Sequence, residues 1–259
     1  MKTLASILVL GLVFAGAAMA SNITEFQPGT GRHNVLPGGR DALWSEPPDL
    51  DGIVASSEQI LLFGLESEIA NDFYITNDIT ITIAKFWGGY YANDVYCGSG
   101  MTYRCHNLRL YEDVACTPAR LPDQPPHYAE YLGIPCDEGT VIYCNSYGFP
   151  VFDYRAFVSV PVHGGHRYWF GAQMCDHQYS PQWGRLAAYF VTDCGSVFWG
   201  PYFGYTEWTP CLDIFGVLFD ASQEFVGFVD AGIPEGARDF TDRTTSWGAI
   251  KGLYRDATR

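Results

Sequence analysis

The chemistry open to this chain is concentrated in its aromatic rings. Its 259 residues include 7 Trp, 17 Tyr and 17 Phe. Trp and Tyr carry an apolar face and a polar atom, so they build binding surfaces at small entropic cost. Trp199, Tyr202 and Trp208 stand among Gly200, Pro201, Gly204 and Pro210. That setting places them near strand ends and predicts exposure. Gln182 and Arg185, in the run Gln182-Trp183-Gly184-Arg185, can supply a hydrogen-bonding rim. These five are the expected ligand-binding residues, and flat apolar rings with a polar rim suit a sugar. Trp87 and Trp169 are expected in the core.

The carboxylates allow other chemistry. Glu66 and Glu68 share a face if they lie on a strand, and Glu207, Asp213, Asp220 and Glu224 are scattered towards the end. A glycosidase needs two carboxyl groups across a cleft at a defined separation, which spacing in sequence does not specify. Calcium takes six to eight oxygen ligands; Asn71, Asp72, Asn77 and Asp78 are its candidates here. The competing explanation is turn chemistry, in which Asn and Asp bond their own backbone. His163 and His166 are spaced i, i+3, but zinc needs three or four convergent ligands, so a solvated turn is expected. Cys175-Asp176-His177 places a thiol beside an imidazole; a disulfide is the expected fate of that thiol. The G-x-S-x-G, H-E-x-x-H and EF-hand patterns are absent from the sequence.

Compartment decides the cysteine chemistry. Lys2, the apolar stretch Leu4 to Phe14 and the small-x-small site Ala18-Met19-Ala20 read as a secretory signal peptide. An exported chain is secreted, extracellular or periplasmic, and meets an oxidising environment. Its eight cysteines, Cys97, Cys105, Cys116, Cys136, Cys144, Cys175, Cys194 and Cys211, are disulfide candidates with 105 possible full pairings. Cys97/Cys105 and Cys136/Cys144 are each eight residues apart, a spacing that suits bridges across local loops or strand pairs.

The elements that must carry these residues are strands. Ile79, Ile81 and Ile83 alternate with Thr80, Thr82 and Ala84, the period of a half-buried strand. Lys85 breaks the parity before Trp87, which a bulge or an edge position accounts for. Gly88-Gly89 permits a bend or the close approach of another backbone. Ala156, Val158, Val160 and Val162 fall on one face, and His163-Gly164-Gly165-His166 reads as a hairpin turn before Tyr168-Trp169-Phe170. Many short strands with Gly, Pro, Asp and Ser between them predict an all-β fold: an antiparallel β-sandwich, jelly-roll-like and disulfide-stapled. The expected organisation is a signal peptide over 1–20, a loose lead-in over 21–42, one sandwich domain over 43–255 and a tail over 256–259.

Composition narrows the partners. Hydrophobic residues make up 47% and charged residues 17%, which excludes a disordered chain. The net charge of −14, or −15 once Lys2 is removed with the leader, argues against nucleic acid. No apolar run of spanning length follows the N-terminus, so no transmembrane segment is expected in the mature chain.

Leu43-Trp44 with Pro47-Pro48, Ile69-Ala70-Asn71-Asp72-Phe73, and Phe86-Trp87-Gly88-Gly89-Tyr90 together resemble a family of uncharacterised secreted bacterial β-sandwich proteins. In it an A-[DN]-D-F strand precedes an alternating strand ending in W-G-G-Y. Tyr168-Trp169-Phe170, Gln182-Trp183-Gly184 and Thr245-Ser246-Trp247-Gly248-Ala249 fit the same pattern. The resemblance implies a secreted sandwich and no established catalytic residues. The expected function is a secreted, non-enzymatic binding or interaction module, with a glycan or surface protein as partner. The alternatives are a carbohydrate-active hydrolase and a structural protein of the cell envelope.

Overall fold

A computed structural model describes residues 25–29, 38–39, 41–91, 105–135, 137–138, 142–145, 148–175, 182–189, 191–192 and 194–229. The expected leader, Cys97, Cys136, Asp176, His177, Trp247 and the boundary at 255 lie outside the described residues.

Two antiparallel sheets carry the fold. The nine-stranded sheet contains β1 (Phe26–Gln27), β2 (Ala42–Glu46), β3 (Val54–Ser56), β7 (Ile79–Tyr91), β10 (Asp137–Glu138), β11 (Tyr143–Cys144), β12 (Pro150–Val162), β14 (Gln182–Leu186) and β17 (Gln223–Val229). The six-stranded sheet runs β16 (Tyr205–Pro210), β15 (Val197–Gly200), β6 (Glu68–Ile75), β13 (His166–Met174), β8 (Cys105–Glu112), β9 (Ala129–Pro135). A short pair, β4 (Gln59–Ile60) and β5 (Leu65–Glu66), flanks a 3-10 turn, and a single turn of helix, α1 (Cys211–Phe215), follows β16.

The consecutive strands β6 and β7 lie in opposite sheets, as do β12 and β13. β6 pairs with β13 in one, and β7 pairs with β12 in the other. The β6–β7 ribbon is thus rolled against the β12–β13 ribbon, the pairing that makes a jelly-roll-like sandwich. Phe73, Leu110 and Phe170 from one sheet meet Phe86, Tyr154 and Phe225 from the other in one buried core. Phe73 and Phe225 close the gap at 4.5 Å between ring centroids.

Strand β7 shows how the sequence writes this. Ile79 and Ile81 face the core, and then Ala84 and Phe86 do. The inward parity therefore switches between Ile81 and Ala84. There the register against β17 slips between Val226 and Gly227, and Thr82 Oγ1 donates to the Val226 carbonyl. The bulge expected beside Lys85 sits at Thr82 and Ile83. Lys85 points away from the core, 3.6 Å from Glu224 Oε1 and 4.6 Å above the Trp87 ring. Gly88 and Gly89 serve close approach. A Cβ at these positions would stand 2.5 Å from the Gly184 carbonyl and 2.6 Å from that of Pro150.

Three expectations are corrected. His163 to His166 is an arch between the sheets, because β12 and β13 pair with other strands; Gly165 takes φ 78 there, and Gly164 lies against the Thr76–Asn77 backbone. The lead-in is not loose throughout, since Phe26 and Gln27 pair with Ala55 and Val54. The suggested Cys97/Cys105 bridge is not formed: Cys105 joins Cys175, and Cys116 joins Cys194, across separations of 70 and 78 residues. Cys144 is disulfide-bonded as well. Cys211 is a free thiol, contrary to its place among the disulfide candidates. It is packed at the start of α1 with Phe198, Phe219 and Ala221, and burial pushes its pKa up. Among the described residues, no helix is long and apolar enough to cross a membrane.

Candidate functional site

The outer face of the six-stranded sheet is unusually polar for a covered surface. Glu68, Arg109, Tyr111, Trp169 and Gln173 alternate outward from β6, β8 and β13, and each is buried. Arg109 Nη1 donates to Glu68 Oε2 at 2.5 Å and its Nε donates to Glu130 Oε1 at 2.8 Å. Tyr111 donates to the other Glu68 oxygen at 2.7 Å. Burial opposes the charge of Arg109, but Glu68, Tyr111 and Glu130 more than offset it, and its pKa is raised. Burial and Glu68 raise that of Tyr111. Gly171, between these strands, leaves room for Glu68: a Cβ there would fall 1.8 Å from Glu68 Oε1.

The connection from β8 to β9 closes over this face. Pro118, Pro122, Pro125 and Pro126 deny it backbone donors, so neither helix nor sheet can form across it. Specific bonds hold it in place. Trp169 Nε1 donates to Asp113 Oδ1 at 2.7 Å, Trp208 Nε1 to the Arg120 carbonyl at 2.6 Å, and the Cys116–Cys194 bridge ties its first half down. The Pro125–Pro126 peptide is cis, and Ala115 and Cys116 take left-handed φ values of 53 and 63. Leu121 packs into the cluster of Trp169, Trp199 and Trp208.

Two depressions open beside this connection and share Glu112 and Tyr128 as a common wall. One, about 490 Å³, is lined by Tyr111, Arg120, Pro126 and His127. The other, about 320 Å³, is lined by Asp113, His163, His166 and Arg167. Tyr128 rests on Tyr168, with centroids 4.9 Å apart, and its hydroxyl donates to the Pro161 carbonyl. His127 stands edge-on to Tyr111 at 5.1 Å; its Nε2 lies 3.1 Å from the Leu121 carbonyl and its Nδ1 3.3 Å from Glu130. The result is a groove with the half-buried Tyr128 ring on its shared wall and exposed Glu112, Arg120, His163 and His166 around it. It can pack an apolar face and exchange hydrogen bonds with hydroxyl groups.

The residues expected to bind ligand are distributed differently. Trp199 and Trp208 are buried, at 2% and 9% exposure, and Tyr202 alone of the three is exposed, at 39%. The expected exposure of the two tryptophans is corrected because the β8–β9 connection covers their face. Gln182 and Arg185 form no rim; both are fully buried. Gln182 Nε2 donates to Glu58 Oε1 at 3.1 Å. Arg185 lies between the sheets near the Phe86 and Phe170 rings, with Nη2 donating to the Ser222 carbonyl. The buried tryptophans still reach the groove indirectly, since Trp208 backs Tyr111 and holds Arg120. Sequence reasoning missed Tyr128 and Glu112; the proline-rich run after Glu112 was the available signal.

The calcium candidates separate into two places. Asn71 is buried in β6, where Nδ2 donates to Glu46 Oε2 and Oδ1 accepts from Ser196 and the Ala221 amide. Asp72 Oδ2 lies 3.2 Å from Arg167 Nε, and Oδ1 accepts from Thr192. Asn77 and Asp78 occupy the turn after β6, where Asn77 bonds Thr76 and Asp78 accepts from the Gly164 amide. Neither is a bond to the turn's own backbone: Asp78 instead ties the turn to the arch at Gly164. Among the described residues, no group of three or more His, Cys, Asp or Glu is arranged to hold a metal.

Glu46, Asp72 and Asp220 form a buried acidic cluster. Burial, with Asp220 and Asp72 nearby, raises Glu46 to about 8. Burial raises Asp220 to about 6 despite hydrogen bonds from Thr192. Both side chains are shielded from solvent, so the cluster bears on stability and not on a substrate.

Comparison with known protein families, characterised proteins and solved structures returns no match.

Proposed function

We propose that this chain is an exported, non-enzymatic binding module whose groove along Glu112 and Tyr128 takes a glycan. The observation that carries the proposal is the shared wall: two depressions meet at one aromatic ring and one exposed carboxylate. A pyranose presents a C–H face to a ring and hydroxyls that donate and accept. Tyr128 offers the ring; Glu112, Arg120 and the arch histidines offer the partners. Binding is favoured over hydrolysis because Asp113, the neighbouring carboxylate, is held at the back wall by Trp169. The Cys105–Cys175 and Cys116–Cys194 disulfides and the resemblance to secreted β-sandwich proteins support export.

A glycan array probed with the mature protein tests this. Retention of a restricted set of glycans, with no cleavage of them by mass spectrometry, is the expected result. No retention overturns the carbohydrate assignment, and cleavage overturns the non-enzymatic one.

A further inference from the structure

The two depressions beside the β8–β9 connection differ in what builds them. The one of about 490 Å³ is made by the end of β8 and the connection alone, between Tyr111 and Tyr128, and presents Arg120. The one of about 320 Å³ adds the arch and the start of β13, and presents His163 and His166. All three of these residues are exposed. Tyr128 is the ridge where the two builders meet. Its hydroxyl donates to the Pro161 carbonyl near the end of β12, and its ring rests on Tyr168 of β13. A bonded hydroxyl and a packed ring fix the ridge before any ligand arrives, so binding spends little on ordering it.

Resting on the glycan reading above, we propose that the groove takes at least two linked sugar units, one in each depression, with the glycosidic linkage crossing the wall of Glu112 and Tyr128. Each depression lies in the size range of a pocket for one small ligand. A unit seated in either one meets Tyr128 and Glu112 from one side and reaches only that side's polar groups, Arg120 or the arch histidines. A second unit, joined through the linkage, reaches the other set at little further entropic cost, because its binding is intramolecular. The occupant is therefore a stretch of oligosaccharide and not a lone monosaccharide.

Calorimetry tests this with β1,4-linked glucose and β1,4-linked N-acetylglucosamine of one to four units, and with the most strongly retained array glycan cut to the same lengths. Affinity is expected to rise by at least about tenfold from one unit to two, and by less than about threefold from two to four. Arg120→Ala, and His163→Ala combined with His166→Ala, are each expected to cut the gain from one unit to two below about threefold. Both variants keep the bonds that hold the scaffold: Trp208 donates to the Arg120 backbone carbonyl, and the His163 backbone amide donates to the Tyr168 hydroxyl. Equal affinity for one unit and two overturns the two-unit inference and leaves the glycan reading standing. So does an undiminished gain in either variant. No binding at any length overturns the glycan reading itself, and this inference with it.

Discussion

Tyr111 stands edge-on to Trp208, ring centroids 5.6 Å apart and planes at 79°, so a tryptophan with no access to ligand forms the support behind the groove. Trp208 also fixes the connection by donating to the Arg120 carbonyl. Trp208→Ala should destabilise the fold by roughly 3–5 kcal/mol through the cavity it leaves. Glu112→Gln, at an exposed residue, should stay within about 0.5 kcal/mol of wild type. Urea unfolding of the two variants checks both.

The ion pair beneath the groove is a costly place to intervene. Removing one partner of a buried pair strands the other charge, at about 3–5 kcal/mol. Glu68→Gln should therefore destabilise strongly, since Arg109 retains only Glu130 and Gln173. Gly171→Ala should also destabilise, by roughly 1–3 kcal/mol, because Glu68 is held by both Arg109 and Tyr111 and has little freedom to yield. Thermal unfolding measures each.

The acidic cluster predicts a direction of pH dependence. Glu46 and Asp220 hold protons more tightly folded than unfolded. Their contribution is therefore fully present below the unfolded carboxylate range, near pH 4. It is lost as pH rises, through about 6 for Asp220 and about 8 for Glu46. Stability should fall by on the order of 3 kcal/mol between pH 5 and pH 9 from these groups. Glu46→Gln keeps an acceptor for Asn71 and should remove most of that slope. Melting curves across the range, with and without the substitution, decide it; an unchanged slope in the variant contradicts the assignment.

Ala115 takes a left-handed φ of 53 without being glycine. Ala115→Gly should relieve that strain and stabilise by about 0.5–1 kcal/mol, net of the added freedom of the unfolded chain. Denaturant midpoints of the two proteins are the measure.

Much of the scaffold could be read from the chain because it is periodic. The Ile79–Ile83 alternation and the glycines at 88 and 89 carry their roles locally. The pairing of β6 with β13, and of Cys105 with Cys175, joins residues far apart in sequence, and no local pattern encodes it. Trp199 and Trp208 misled because their burial depends on a distant proline-rich connection lying over them. Arg185 misled for the opposite reason. A charged residue is expected at the surface, yet β14 lies between β3 and β7 and turns that side chain into the interior. The candidate groove was legible only as aromatic surplus, because Tyr128, Glu112 and Arg120 converge through the folded connection.

The most direct test of the glycan assignment compares the wild-type protein with Tyr128→Ala and Glu112→Gln on the same glycan array, with calorimetry on the strongest hit. The account predicts that Tyr128→Ala loses the signal and that Glu112→Gln weakens it about tenfold, while both variants keep cooperative unfolding. Undiminished binding by folded Tyr128→Ala would contradict it.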